Sequence, residues 1–362
     1  MKEKTQNQNI KIHPSSAWLF KPRLIRIGVS RSCNFRCLMC WSYSPFLKEP
    51  RKDEWRKVKI DKDLAIHTIN EAAEIGFRKV LFSGFGEPFT HPAMMDFVKE
   101  SAKRKLGVII QTNLSLIDPS KLAKALKGVE RDSVMCVNIG ASNAETYKNL
   151  HGNVTQKDFY KILDKIKFLL EKNINVRMVH VVIKPNYQEI ERVIKLNKEI
   201  GSFLHLELAD FVPGEGVENI IIDRKERRQL YKKIAYLNGK DEETNSNISD
   251  FLNQIKYRGI GAERIKKCLI GYNFCAVNEI GNVHYCFNRK SDVYFMGDLR
   301  KSSLKEIWFS KKYDLMRKKL ESGEFLKECE GYCIKSALAS NSRSSNFKLR
   351  FYIDPDIPAP LV

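Results

Sequence analysis

"CNFRCLMCW", residues 33–41, places Cys33, Cys37 and Cys40, three of the chain's nine cysteines, in a single short loop. The stretch before it, "LIRIGVS" (24–30), is apolar and β-branched and reads as a strand, so the thiols leave its end directly. A structural zinc site takes four ligands, commonly as two close pairs, and three thiolates leave it one short unless a distant residue completes it. A cubane iron–sulfur cluster held by three cysteines keeps one iron open to another ligand. The spacing Cys-x3-Cys-x2-Cys therefore reads either as an incomplete zinc loop or as a cluster loop with a reactive corner.

The chain around the loop separates these readings. Strand-like runs at 24–30, 79–84, 107–113, 133–140, 174–183 and 203–210 alternate with helical patterns such as 62–76, closed by Gly76, and His91 to Lys105. That alternation predicts a parallel sheet with helices outside. Six units are too few for an eight-fold barrel, and the expected fold class is α/β, a partial (β/α)6 TIM-like barrel. In such folds chemistry gathers at the C-terminal ends of the strands. There lie the cysteine loop, "SGFGEP" (83–88), Thr112 with Asn113, and Asn138 with Ser142. In "SGFGEP" two glycines let the backbone approach a ligand, and Glu87 offers a carboxylate to an ammonium. Cys136, His180 and His205 fall within strands and read as core residues.

Composition sets the outer limits. Of 362 residues, 43% are hydrophobic and 29% charged, which is globular. No apolar run approaches the roughly 20 residues of a membrane span, so no membrane association is expected. The polar start "MKEKTQNQNIKIHPSS" has no apolar signal core, which points to a reducing cytoplasm and to cysteines that bind metal rather than pair. The formal charge of +20 favours an anionic partner, yet no basic patch interleaved with aromatics is present, and nucleic acid is not the expected partner.

Cys33, Cys37 and Cys40 resemble the CxxxCxxC signature of the radical S-adenosylmethionine (SAM) superfamily, and "SGFGEP" is similar to its GGEP motif in the G-x-G-E-P form. The resemblance implies a [4Fe–4S] cluster on those cysteines, with SAM on the open iron and reductive cleavage to a 5′-deoxyadenosyl radical that abstracts hydrogen from substrate. It implies that Gly84, Gly86 and Glu87 hold the SAM amino group and that Met39 offers its backbone to the adenine. The family usually has an aromatic residue at the Met39 position. Thr112, Asn113, Asn138 and Ser142 would meet the ribose and the methionine carboxylate, and Val182 with Ile183 the adenine. An electron donor such as flavodoxin or ferredoxin would be a partner; no catalytic residue is identified.

The remaining cysteines, Cys268, Cys275, Cys286, Cys329 and Cys333, with a helix expected from "GDL" through "LKEIW" between them, resemble the SPASM/twitch extension of this superfamily. Five cysteines, where the full pattern has seven, imply one auxiliary [4Fe–4S] cluster on Cys268, Cys275, Cys286 and either Cys333 or Cys329; zinc is the alternative. Expected domains are an extension (1–22), the core barrel (23–237), a linker (238–265), a small cysteine-rich α+β unit (266–338) and a tail (339–362). The implied function is oxidative modification of a peptide or protein. The alternatives are dehydrogenation or epimerisation of a carbohydrate, nucleotide-sugar or aminoglycoside, and a zinc-dependent nucleic-acid-binding protein. The 32 residues before Cys33 are too few for a leader-recognition domain, which weakens the peptide reading.

Overall fold

Local signals place the first β/α units. In a computed structural model, which describes residues 22–209, 216–240, 245–257, 268–286 and 294–324, Asp61 accepts the Leu64 N–H at the start of the helix over Lys62–Ile75. Gly76 closes that helix in the left-handed region at φ 98°. The strands are β1 (Leu24–Gly28), β2 (Lys79–Ser83), β3 (Gly107–Thr112), β4 (Val134–Asn138), β5 (Asn175–Val182), β6 (Phe203–Leu208), β7 (Phe274–Val277), β8 (Asn282–His284) and β9 (Phe295–Asp298). The helices are α1 (Asp53–Arg56), α2 (Lys62–Ile75), α3 (Met94–Lys103), α4 (Pro119–Ala125), α5 (Ala144–His151), α6 (Gln156–Glu171), α7 (Ile190–Ile200), α8 (Arg224–Lys240), α9 (Ile248–Tyr257), α10 (Ile270–Asn273), α11 (Leu304–Trp308) and α12 (Lys311–Glu321).

All six expected parallel strands are present. They form one open sheet in the order β6-β5-β4-β3-β2-β1-β7-β8-β9 and do not close into a barrel. β7 runs parallel to β1, while β8 and β9 return antiparallel. The cysteine-rich segment thus continues the sheet of the first six strands. Register decides which residues share a face. Arg26 pairs with Leu81 and Leu81 with Ile109, while Gln111 pairs with Cys136 and Cys136 with Arg177. Successive side chains alternate between faces, so these residues line one side. The other side is apolar and packed by helices, as where Phe82 stacks on Phe97 of α3 with ring centroids 6.2 Å apart.

Two expectations change in detail. The segment 238–265, read as linker, contains α9, because Ile248, Phe251 and Ile255 recur on one helical face and are buried against β6 and α8. The helix expected after "GDL" divides into α11 and α12, because Ser303 caps the first through Glu306 and Ser310 accepts the Tyr313 N–H to start the second. Among the described residues no helix is long and apolar enough to cross a membrane.

The free edge of β6 is finished by a side chain. The buried Asn247 amide accepts the Leu206 N–H (2.7 Å) and donates to the Leu206 carbonyl (2.9 Å), doing for that residue what a further strand would do. Asn247→Ala leaves both backbone groups without their partner and is expected to cost about 2 kcal/mol, read as a lower urea midpoint at unchanged slope. An unchanged midpoint would mean that water replaces the amide.

Candidate functional site

The cysteine loop is fixed by backbone contacts to two neighbours. Arg36 N and Leu38 N donate to the carbonyls of His151 (3.0 Å) and Leu150 (2.9 Å) at the end of α5. On the other side, Gly86 N donates to Ser30 O (3.0 Å) and Glu87 N to Ser32 O (2.7 Å), so the loops after β1 and β2 run backbone against backbone. A Cβ on Gly86 would lie 2.1 Å from Ser32 O, and one on Gly84 would lie 2.7 Å from Ser30 O. Expected to admit a ligand, the two glycines first of all admit the cysteine loop.

Between these loops is a cavity of about 150 Å³ lined by Cys33, Cys37, Gly86, Glu87, Thr112 and Asn113, with Gln111, Cys136, Asn138, Phe35 and His151 completing the wall. A larger cavity of about 300 Å³ lies elsewhere, at Asn197, Lys198, Gly201, Ser202 and Asn245, and gathers neither thiol nor carboxylate. The chemistry is therefore in the smaller one.

Glu87 is buried, and burial pushes its carboxyl up to about 7. Three protein donors oppose that rise: Thr112 Oγ1 (2.7 Å) and Phe89 N (3.2 Å) on Oε1, and Asn113 N (2.7 Å) on Oε2. A carboxylate has about four lone-pair sites, so Glu87 keeps acceptor capacity for one further donor. Asn113 also donates to Asn34 Oδ1 (2.9 Å), tying β3 to the cysteine loop. Asn138 Oδ1 is buried and has no hydrogen-bond partner among the described residues, and Asn138 lines the cavity.

The thiols are held as thiols. Burial raises Cys33 to about 12 and raises Cys37 and Cys40, and for Cys33 and Cys37 the neighbouring thiols add to the rise. A positive metal centre would reverse this by stabilising the thiolates, with release of protons. Cys37 Sγ lies 3.1 Å from His151 Nδ1, whose Nε2 lies 2.9 Å from Ile139 O. The carbonyl only accepts, so Nε2 carries the proton and Nδ1 receives the Cys37 S–H; burial lowers His151 to about 4. Among the described residues no three His, Cys, Asp or Glu side chains are gathered to hold a single ion. A cubane gives each thiolate its own iron. The wall of two thiols, a buried carboxylate with an acceptor site to spare and an unpartnered amide oxygen suits a cluster carrying a cationic amino-acid ligand.

Some expected positions are not brought there. Ser142 is committed to Glu189, its hydroxyl donating over 2.6 Å and its N–H over 3.0 Å. Val182 is buried in the apolar cluster with Ile190, Val193 and Phe251 on the helix side of the sheet. Met39 packs half-buried against the main core, and Cys40 is absent from the cavity wall. Sequence reading missed His151, Gln111 and the placement of Cys136. It also missed Glu279, a buried residue just after β7. Its carboxylate accepts from Arg31 Nε (3.3 Å) and Phe85 N (3.4 Å), and lies 3.0 and 3.1 Å from where Cβ atoms on Gly28 and Gly84 would sit. One carboxylate thus joins the segment after β7 to both loops.

In the second cysteine group Cys275 is fully buried in β7, Cys268 is buried and Cys286 half-buried. Cys329 and Cys333 lie outside the described residues.

A family model described as the radical SAM superfamily matches residues 27–196, and one described as an iron–sulfur cluster-binding domain, SPASM, matches 268–334. The chain carries a radical SAM domain followed by a SPASM domain. It is an enzyme that works with a [4Fe–4S] cluster and SAM, and its SPASM region binds auxiliary iron–sulfur. This sets aside the zinc nucleic-acid reading. The chain is similar to an AdoMet-dependent heme synthase of Methanosarcina barkeri, 26% identical with 89% of this chain and 91% of the relative covered. It is also similar to a tungsten-containing aldehyde ferredoxin oxidoreductase cofactor-modifying protein of Pyrococcus furiosus, 26% identical over 82% and 83%. Solved structures share the fold. Native anSMEcpe with bound AdoMet has a TM-score of 0.62 at 17% identity, covering 86% of each chain. SuiB of Streptococcus suis with S-adenosylmethionine has a TM-score of 0.60 at 16%, covering 82% of this chain and 68% of that one.

The contact between the two loops gives a test in the radical SAM chain. Gly86→Ala forces the Ser32 carbonyl away and is expected to cost about 3 kcal/mol, seen as a lower Tm of the cluster-free protein. Gly239→Ala, with nothing within 4 Å of its Cβ, serves as control and is expected to be neutral or stabilising. Equal Tm values for the two variants would refute the close approach.

Proposed function

We propose that Cys33, Cys37 and Cys40 hold the [4Fe–4S] cluster that works with SAM. In this reading Glu87 receives the SAM ammonium, with Gly86, Thr112, Asn113 and Asn138 around the methionine and ribose. When bound, that cluster supplies the electron that divides SAM into methionine and a 5′-deoxyadenosyl radical. The chain's own part is to bind and aim. Glu87 fixes the amino group, Asn138 Oδ1 offers its acceptor to a ligand hydroxyl, and Cys136 and Phe35 contribute to the cavity wall. The observation that carries this reading is the buried Glu87 carboxylate between the two thiols and Asn113, with acceptor capacity left.

For the auxiliary site, Cys268, Cys275 and Cys286 are read as ligands of one further [4Fe–4S] cluster, completed by Cys333 or Cys329. The reaction is read as a net oxidation in a reducing cytoplasm, with a flavodoxin- or ferredoxin-type donor. The substrate is read as an anionic, low-molecular-weight cofactor precursor. Two observations favour this. The sheet face that bears the cavity carries Arg26 and the buried Arg177. The two relatives described above, each matched over most of its length, are named for heme synthesis and cofactor modification. A peptide substrate is the second reading, favoured by likeness to a PqqA peptide cyclase of Granulibacter bethesdensis, 22% identical over 49% of this chain. Turnover assays decide between them: 5′-deoxyadenosine formation should be stimulated by a carboxylate-bearing tetrapyrrole and not by acidic peptides. The reverse outcome selects the peptide reading.

Two further results are expected. Replacing Cys33, Cys37 and Cys40 by Ala should abolish 5′-deoxyadenosine and remove about four irons per chain; retained product would refute the assignment. For Glu87 the sign follows from its raised carboxyl. The charged form that receives an ammonium dominates above about 7. SAM affinity should then fall about tenfold per pH unit below that value and level off above it. Glu87→Gln should bind SAM at least about tenfold more weakly at pH 8 and lose the pH dependence. Equilibrium dialysis across pH 5.5–8.5 checks both, and parallel curves for the two proteins would count against Glu87.

A further inference from the structure

The helix that packs against the second cysteine group carries an unusual buried charge. Arg317 of α12 is fully buried, yet among the described residues it has no carboxylate within salt-bridge distance, and its Nη1 and Nη2 have no hydrogen-bond partner. Only Nε is satisfied, donating to Gly271 O at 2.8 Å. The guanidinium is held by rings instead, 4.2 Å from the Tyr313 centroid, 4.4 Å from Trp308 and 5.8 Å from Tyr272. Cation–π contacts offset part of the cost of burying a cation, but they leave the two terminal N–H groups unused. A buried cation with free donors needs an anion.

The segments that carry the cysteines pack against the same helix. Gly271, the acceptor of Nε, sits between Cys268 and Cys275 in the chain, and Cys268 N donates to Leu320 O of the same helix at 2.9 Å. Tyr313, against which the guanidinium stacks, donates to the carbonyl of Phe274, the neighbour of Cys275, at 3.3 Å. The same ring packs against Tyr285, the neighbour of Cys286, with centroids 5.3 Å apart. A cluster carried on several thiolates is a net anion.

We propose that Arg317 is the counter-charge of the auxiliary cluster, donating through Nη1 and Nη2 to its sulfur atoms and so raising its reduction potential. This rests on the reading of Cys268, Cys275 and Cys286 as ligands. Reduction adds one negative charge, which a fixed cation and N–H donors stabilise, so the cluster accepts an electron more readily beside Arg317 than beside a neutral side chain. Arg317 is a positioning and tuning residue; nothing requires it to touch substrate.

The full chain with Cys33, Cys37 and Cys40 replaced by Ala isolates the auxiliary cluster. Adding Arg317→Met should leave its iron in place and lower the reduced-to-oxidised ratio at a set potential at least about tenfold, about 59 mV for one electron. The same change should narrow the Tm gap between iron-loaded and iron-free protein, since it removes an uncompensated charge from the iron-free form. A second measurement does not depend on the folding of the methionine variant. With Arg317 present and ¹⁵N-arginine incorporated, the reduced cluster should show an ¹⁵N coupling in pulsed electron paramagnetic resonance. Iron retained with neither coupling nor potential shift would overturn the role of Arg317 alone. A triple-alanine chain without iron would overturn the ligand assignment beneath it.

Discussion

Everything at the site depends on one close approach, that of the Gly86 backbone to the Ser32 carbonyl. Nothing larger than hydrogen fits there. Because the loops after β1 and β2 touch along their backbones, Cys33, Cys37 and Glu87 come to face one cavity from two different strands. The hydrogen bonds from Gly86 N and Glu87 N hold that alignment, and Asn113 extends it to β3 through Asn34. Three strand ends are thereby fixed relative to each other by main-chain and amide contacts, which leave little freedom of orientation.

Glu279 carries the same logic into the SPASM region. Its carboxylate fills space left by Gly28 and Gly84 and accepts from Arg31 and Phe85. Two cysteine groups far apart in the chain are thus referred to one rigid frame, with β1 as the strand common to both. Electrostatics differ between the two groups. Around the first, burial and the neighbouring thiols hold Cys33 and Cys37 protonated; around the second, a buried guanidinium is present.

The sequence made the six β/α units legible because strand and helix periods are local properties. Cys33, Cys37, Cys40 and Glu87 stood out because their spacing and strand-end position are unusual together, and Cys33, Cys37 and Glu87 share one cavity. Val182 was misplaced because facing depends on register: Asn138 pairs with Val179, so Val179 and Val181 share its side and Val182 does not. Ser142 was misplaced because its partner, Glu189, is 47 positions away. His151, Glu279 and Arg317 left no local sign at all. Each acts through contacts between distant segments, and each looks like an ordinary surface residue until the chain is folded.

The pairing of β1 with both β2 and β7 also bears on how the chain is made. Leu24 to Ile27 find Lys79 to Phe82 early in synthesis, but their other neighbours, Phe274 to Val277, emerge some 250 residues later. During that interval an apolar edge of the central strand stays open to pairing with other chains. Such late, non-local closure slows folding and exposes the nascent protein to aggregation. Until β7 arrives, the open edge of β1 is where that exposure lies.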